Sequence, residues 1–205
     1  MTEKTLNVIK ELREKSKKRK FPQSFDLIVS LKEFDTKKPE NKFTEDIFLP
    51  HGRGTDAGVV IFSDTLKDQD STVLTTEDLN NLVKNKREIK KLATDIDFFL
   101  AEAKLMPIVG KGLGQFLAPR GKMPKIITED IDSLMKVLQK SIRIKTKETP
   151  TIQCPVGNED MKNEEIAENI ESLLKYLNNK LPKGKHNIGE VLLKLTMSKP
   201  IKVEV

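Results

Sequence analysis

The chain has no tryptophan, one tyrosine, one cysteine and two histidines among its 205 residues. A single cysteine excludes an intrachain disulfide and any metal site built from several thiolates, and it fits a reducing compartment. His51 and His186 stand far apart, each beside glycine or lysine, so neither belongs to a ligand motif or to an acid–base pair by spacing. Cys154 has no histidine beside it and is expected as a buried filler. No apolar run approaches the ~18 residues of a membrane span. The first residues are charged and lack the apolar stretch of a secretory leader. The expectation is a soluble, intracellular protein without membrane contact. Carboxylates are plentiful, but none has a spacing that implies catalysis, and no metal or cofactor is expected.

What the chain has in quantity is charge: 37 basic and 31 acidic residues, a net +6. Such an excess suits a polyanionic partner without requiring one. It is concentrated early, with 13 basic against 9 acidic residues over 1–53, 16 against 14 over 54–149, and 8 against 8 over 150–205. A heavily charged chain of this length fits two small domains better than one compact body, because small bodies expose more surface per residue.

Read in order, residues 5–18 have helical spacing (Leu6, Ile9, Leu12) and end in the cationic run KSKKRK at 15–20. Either a solvated helix end or a phosphate-contacting patch accounts for that run. Residues 25–31, FDLIVSL, alternate as a half-buried strand. A second strand is expected at 45–49, a glycine-rich turn at 50–58, and a fully buried strand at 59–62, VVIF. From there short strands (73–74, 96–100) alternate with helical patterns, Thr76 serving as a helix N-cap and 128–130 as the cap of a helix to 139. That alternation predicts a βαβ-type unit over 59–140. Residues 66–70 read as short and polar. Residues 141–147 read as an edge strand, 149–156 as an extended segment broken by prolines, 164–178 as the clearest helix, 181–188 as a basic loop, and 191–196 as a terminal strand.

Residues 109–125, VGKGLGQFLAPRGKMPK, stand apart. Four glycines, two prolines and four cations read as a long, shaped, basic loop. The loop fails as a Walker motif, since Phe116 stands where the first glycine belongs and Met123 where serine or threonine belongs. It fails as a dinucleotide fingerprint because Leu117 occupies the third glycine position. Elsewhere, basic segments flank apolar strands: Lys18–Phe21 before the first, Pro182–His186 before the last, Lys194–Lys199 ending it. If the first and last strands share a sheet, these segments meet on one surface, lysines facing phosphates and Phe21 and Met197 facing ribose or bases.

GKGLGQFLAPRGKMPK resembles the signature of the ribosomal protein L-one family, and the likeness runs along nearly the whole chain. KRKFPQSFDLIVSL resembles the family's first strand, FLPHGRG its crossing between domains, CPVG the return crossing, and VLLKLTMSKP the terminal strand. PRGKMP followed by Lys125 and Ile126 resembles the archaeal or eukaryotic-like form of the family. The resemblance implies an α/β protein of two domains. Domain I is a discontinuous, split-βαβ-like RNA-binding α+β domain from 1–53 and 150–205. Domain II is a Rossmann-like α/β domain inserted at 54–149. It implies a non-enzymatic constituent of the large ribosomal subunit, a monomer when free, that binds the stalk region of large-subunit rRNA. It further implies help in releasing tRNA from the exit site and repression of the protein's own mRNA.

Carried over by residue, the family's threonine–methionine–glycine at the strand end falls on Thr196, Met197 and Ser198, the last a departure whose hydroxyl is expected to offer a bond to a 2′-OH. The family's phenylalanine falls on Phe21 and its acidic partner on Asp26, shorter than the usual glutamate. A family serine falls on Glu190 and is not carried over. Lys20, Lys183, Lys185, Lys194 and Lys199 are the expected phosphate contacts. Arg120, Lys122 and Lys125 form a secondary basic loop in domain II. The rival reading is a nucleotide-binding enzyme that uses the glycine-rich segment.

Overall fold

The computed structural model describes residues 2–36, 38, 41–64, 72–127, 131–146 and 149–203. It is a mixed α/β structure whose contacts separate into two units: residues 1–56 with 140–205, and residues 57–139. The segment 66–70 and the cap expected at 128–130 lie outside the described residues.

The first unit begins with α1 (Thr2–Lys15). It buries Ile9 and Leu12 and stops where the apolar stripe stops, because a further turn would bury nothing to offset its ordering. The helix therefore ends about a turn earlier than expected, and Lys17–Lys20 lie beyond it. Strand β1 (Ser24–Leu31) buries every second residue, Phe25, Leu27, Val29 and Leu31. It lies between two antiparallel neighbours, β8 (Thr151–Asn158) and β9 (Ile188–Leu195), and β10 (Ile201–Val203) completes a sheet ordered β10-β9-β1-β8. The two chain ends thus do share a sheet. Pro155 sits within β8 rather than breaking it, because β8 is an edge strand and the register slips there: Phe25 faces Gly157 and Asp26 faces Pro155. Edges and bulges are where a strand tolerates a residue without an N–H.

Helix α7 (Asn163–Lys180) covers this sheet with Ile166, Ile170, Leu173 and Leu177. Glu165 reaches back to the Lys162 N–H at 3.1 Å, satisfying one donor of the helix start. Strands β2 (Thr44–Phe48) and β7 (Ser141–Lys145) form a separate antiparallel ribbon, tied by Arg143 to Asp46 at 2.7 and 3.2 Å. Placing 141–145 in the inserted domain is therefore corrected: pairing with β2 puts β7 in the first unit, and the division falls after Gln139. At the segment 50–54 the buried Asn169 accepts the His51 N–H (3.1 Å) and donates to the carbonyls of Gly52 (2.7 Å) and Val156 (2.9 Å). One side chain thus satisfies three main-chain groups that no ladder reaches.

The second unit is a parallel sheet ordered β4-β3-β5-β6, from β3 (Val59–Phe62), β4 (Thr72–Leu74), β5 (Phe98–Ala101) and β6 (Lys125–Ile126). Val60, Phe62, Phe99 and Ala101 face one apolar cluster, with Phe62 and Phe99 stacked at 5.9 Å. Val59, Ile61, Phe98 and Leu100 face the other, beneath α6 (Ile131–Gln139). Burial on both faces explains why VVIF and FFLA are apolar throughout. Helices α2 (Thr76–Lys84) and α3 (Lys86–Asp95) follow β4. The N-cap of α2 is Thr75, not Thr76, in a reciprocal capping box with Asp78.

The largest departure from expectation is the glycine-rich segment. It is not one loop but α4 (Met106–Gly112), α5 (Gly114–Leu117) and a 3₁₀ turn (Ala118–Arg120). Pro107 lies in the first turn of α4, where its missing N–H costs nothing. Leu105, Val109, Leu113 and Leu117, four apart, are all buried. Gly112 lets α4 approach α2: a Cβ there would lie 2.5 Å from Val83 Cγ2. Only Gly121, at φ +71°, uses the left-handed conformation that the loop reading assigned to glycine generally.

Candidate nucleic-acid interface

The antiparallel pairing of β1 with β9 brings the start of one beside the end of the other. The Ser24 N–H donates to Thr196 Oγ1 and the Thr196 N–H to the Ser24 carbonyl, each at 3.1 Å. Thr196 is thus clasped on its own side chain and main chain. The next residue is anchored too, since the Met197 N–H donates to Gln23 Oε1 at 3.2 Å. Gln23 is buried and in turn held by Glu159: the Gln23 N–H meets Glu159 Oε2 at 2.9 Å, and the Glu159 N–H meets the Gln23 carbonyl at 2.9 Å. The Met197 backbone is fixed while its side chain stays 61% exposed. An apolar side chain held into water by a rigid support is ready to pack on something else. Phe21, 47% exposed, is the other large apolar group here.

Ser198 is spent on its own turn. Its Oγ accepts the Leu195 N–H at 2.8 Å, and the Ser198 N–H returns to the Leu195 carbonyl at 3.0 Å. The hydroxyl proton is directed to the Lys199 carbonyl at 3.2 Å, so a bond to a 2′-OH would be one that Oγ accepts. On the strand behind, Asp26 stands opposite Lys194. Burial pushes the Asp26 carboxyl above its ordinary range, against the pull of Lys194. Lys194 Nζ also reaches the Thr196 carbonyl at 3.4 Å.

Two grooves flank the corner. One, of about 540 Å³, runs past Ser16, Lys17, Arg19, Gln23, Met197 and Lys199. The other, of about 500 Å³, is lined by Arg13, Arg19, Lys20, Phe21, Glu159 and Asp160, among others. The Arg13 guanidinium is pinned by the carbonyls of Glu159 (2.8 Å) and Met161 (2.5 Å) and lies 5.5 Å over the Phe25 ring. The side-chain cations of Lys17, Lys18, Arg19, Lys20 and Lys199 make no hydrogen bond or ion pair among the described residues, so their charge is available to an external anion. Arg19, which lines both grooves, and Lys17, which lines the first, are not singled out by the sequence beyond their place in KSKKRK.

The structure therefore gathers Lys20, Phe21, Asp26, Lys194, Thr196, Met197, Ser198 and Lys199 at one end of the sheet. It does not bring Lys183 and Lys185 there. They precede β9, at the end opposite Thr196; eight residues of strand at ~3.3 Å each separate the two ends by roughly 25 Å. Lys183 is also paired with Glu33 at 2.5 Å.

The secondary basic loop is largely occupied internally. Arg120 Nη1 donates to Thr94 Oγ1 at 2.7 Å, and Lys122 Nζ to the Ile96 carbonyl at 2.5 Å with Asp97 at 3.9 Å. Helix α3 has no basic residue in its last turn, so these two cations supply the positive charge at its carbonyl end. Lys125 is exposed on β6. The segment 121–124 precedes β6 and so lies at the amino ends of the parallel strands, whereas open α/β sheets bind ligands outside the carboxyl ends. At the carboxyl ends stand Ser63, hydrogen-bonded to Glu102, and Asp64, bonded to Thr76, an acidic environment adverse to phosphate. The geometry does not favour the nucleotide-enzyme reading. Cys154 is buried in β8, its thiol pushed up to about 12 by burial and then by Asp26.

With this geometry described, comparison with known proteins is informative. The model of the Ribosomal protein L1p/L10e family matches residues 12–199. The "Large ribosomal subunit protein uL1" of Methanobrevibacter smithii is 41% identical, covering 99% of this chain and all of the relative. That of Methanocaldococcus jannaschii is 42% identical, over 97% of this chain and 94% of its own. That of Pyrococcus horikoshii is 38% identical, over 98% and 96%. All three are archaeal, one of the two forms that the glycine-rich signature resembles. The chain belongs to the ribosomal protein L1p/L10e family.

Proposed function

We propose that this protein is a non-enzymatic constituent of the large ribosomal subunit, acting on cytoplasmic ribosomes, and that it binds the stalk region of large-subunit rRNA through its discontinuous unit. On this reading residues 1–56 and 140–205 are the RNA-binding domain and 57–139 the inserted Rossmann-like domain. Release of exit-site tRNA and repression of its own mRNA are the further roles the family resemblance carries. One observation supports the reading most directly: the rigid, exposed Met197 beside Thr196, near side-chain cations that have no partner among the described residues. Fixed apolar groups on bases and ribose, with mobile lysines on phosphates, are how proteins recognise folded RNA by shape.

A filter-binding titration against the isolated stalk RNA tests it. Thr196→Ala and Met197→Ala are expected to weaken binding without unfolding the protein. Unchanged affinity in both rejects the site. Lys183→Ala and Lys185→Ala are expected to leave affinity nearly unchanged.

A further inference from the structure

The groove beside Phe21 has a composition that phosphate binding does not explain. Five of its lining side chains are cationic or aromatic: Arg13, Lys18, Arg19, Lys20 and Phe21. A surface serving only phosphates gains nothing from a carboxylate among them, yet Asp160 lines the same groove. Asp160 is exposed and makes no hydrogen bond or ion pair among the described residues. Its neighbour Glu159 is different, being committed to Gln23. The peptide carrying Asp160 is held in place, because Arg13 binds the carbonyls on either side of it, at Glu159 and Met161, and the Met161 N–H meets the Asn158 carbonyl at 3.1 Å. The free carboxylate is therefore presented from a fixed turn toward a groove with an exposed aromatic ring, rimmed by free cations. Its volume, about 500 Å³, is within the range of small-ligand pockets.

We propose that this groove is a guanine-reading subsite for one unpaired nucleotide of the bound RNA. The inference rests on the RNA-binding reading above and sharpens it. A splayed-out base stacks on an aromatic face and is read on its Watson–Crick edge. An ionised carboxylate only accepts, through two oxygens side by side. Guanine is the base whose Watson–Crick edge offers two adjacent donors, N1–H and the N2 amine. Adenine and cytosine place a ring acceptor next to their amine, and uracil has one N–H between two carbonyls, so each sets an acceptor against the carboxylate. Phe21 supplies the stacking face, Asp160 the two acceptors, and Lys18, Arg19 and Lys20 the contacts to the flanking phosphates. Asp160 is the specificity-determining residue, and the cations determine affinity.

The test uses the full chain and decamer oligouridylates carrying one central guanosine, adenosine or inosine, titrated by fluorescence anisotropy at one fixed low salt, with the isolated stalk RNA alongside. The wild type is expected to prefer guanosine to adenosine by about tenfold, with inosine, which lacks the N2 amine, between them. Asp160→Asn, an isosteric change at an exposed position, is expected to bring the guanosine and adenosine oligomers within about twofold. Phe21→Leu is expected to weaken both while keeping the ratio. Equal wild-type affinities, no measurable binding of the guanosine oligomer, or an undiminished preference in Asp160→Asn overturns the proposal. If any of these occurs while the stalk RNA still binds, the guanine subsite alone is lost. If the stalk RNA does not bind either, the RNA-binding reading fails with it.

Discussion

Two basic regions of this molecule invite comparison: the corner at the paired ends of β1 and β9, and the glycine-rich segment that starts at α4. Each contains several cations within a few residues. In the corner, the side-chain cations of Lys17, Lys18, Arg19, Lys20 and Lys199 have no partner among the described residues. In the segment, Arg120 and Lys122 are committed to the carbonyl end of α3. Cation density alone therefore does not locate a binding surface. What distinguishes the two is whether each charge already has an anion or a dipole to satisfy it. The glycines divide in the same way: Gly112 and Gly121 answer to packing and to chain reversal, and neither cradles a phosphate.

The largest effect that sharpens this contrast is expected at Gly112. Gly112→Ala drives a Cβ to within 2.5 Å of Val83 Cγ2, and overpacking of this kind costs about 1–3 kcal/mol. Gly114→Ala meets nothing within 4 Å and is expected to be neutral, or stabilising by less than about 1 kcal/mol through helix propensity. Denaturant unfolding of the two variants compares them directly. Equal losses would mean that the segment's glycines serve the backbone generally and not one helix contact.

Next in size is Lys122→Ala. Loss of a charged donor from the Ile96 carbonyl and of its neighbour Asp97 is expected to destabilise the fold by about 1–2 kcal/mol, with no change in the salt dependence of RNA binding. Lys20→Ala is the mirror case. A solvated lysine away from any cap is expected to change stability by no more than about 0.5 kcal/mol. The slope of log K against log salt should nevertheless fall by about 0.7–0.9. If Lys122 moved the salt slope and Lys20 moved the stability, the assignment of the two regions would be reversed.

Much of this was legible in the sequence, for reasons that differ by element. β1 and α7 declare themselves because each has one buried face and a clean period, 2 in one and near 3.6 in the other. The stripe Leu105, Val109, Leu113, Leu117 has an equally clean period, but the glycines and prolines between its members mask it. Pro107 in a first helical turn is a start signal, not an interruption. For the site, the residues at Thr196 and Met197 came through family resemblance; periodicity could not have paired β1 with β9, because which strands neighbour one another is a long-range property. The same limit misplaced Lys183 and Lys185: a basic segment before a strand and another after it are close in sequence yet a full strand length apart in space. Ser198 shows a third limit, since the turn that engages its hydroxyl leaves no mark on local periodicity.

The smallest expected effect tests whether the corner is purely basic in its energetics. Asp26 lies on β1 between Lys194 and Pro155, and burial raises its carboxyl above the usual value of 3.8 despite Lys194. A folded-state pKa above the unfolded one means that the folded protein holds this proton more tightly. The stabilising contribution is fully present below 3.8 and is lost as pH rises through the raised value. Asp26→Asn removes that loss, so its stability relative to wild type should increase over this window and stay level above it. The shift is partly screened by water at a half-exposed site, so the change is modest. Chemical denaturation at several pH values from 3 to 7 measures it. If Asp26→Asn instead loses stability as pH rises, the Lys194 attraction outweighs burial, and the corner already carries an internal ion pair. Its supply of free cation would then come from the segment after α1 and from Lys199 alone, leaving Lys194 as a structural residue rather than a phosphate contact.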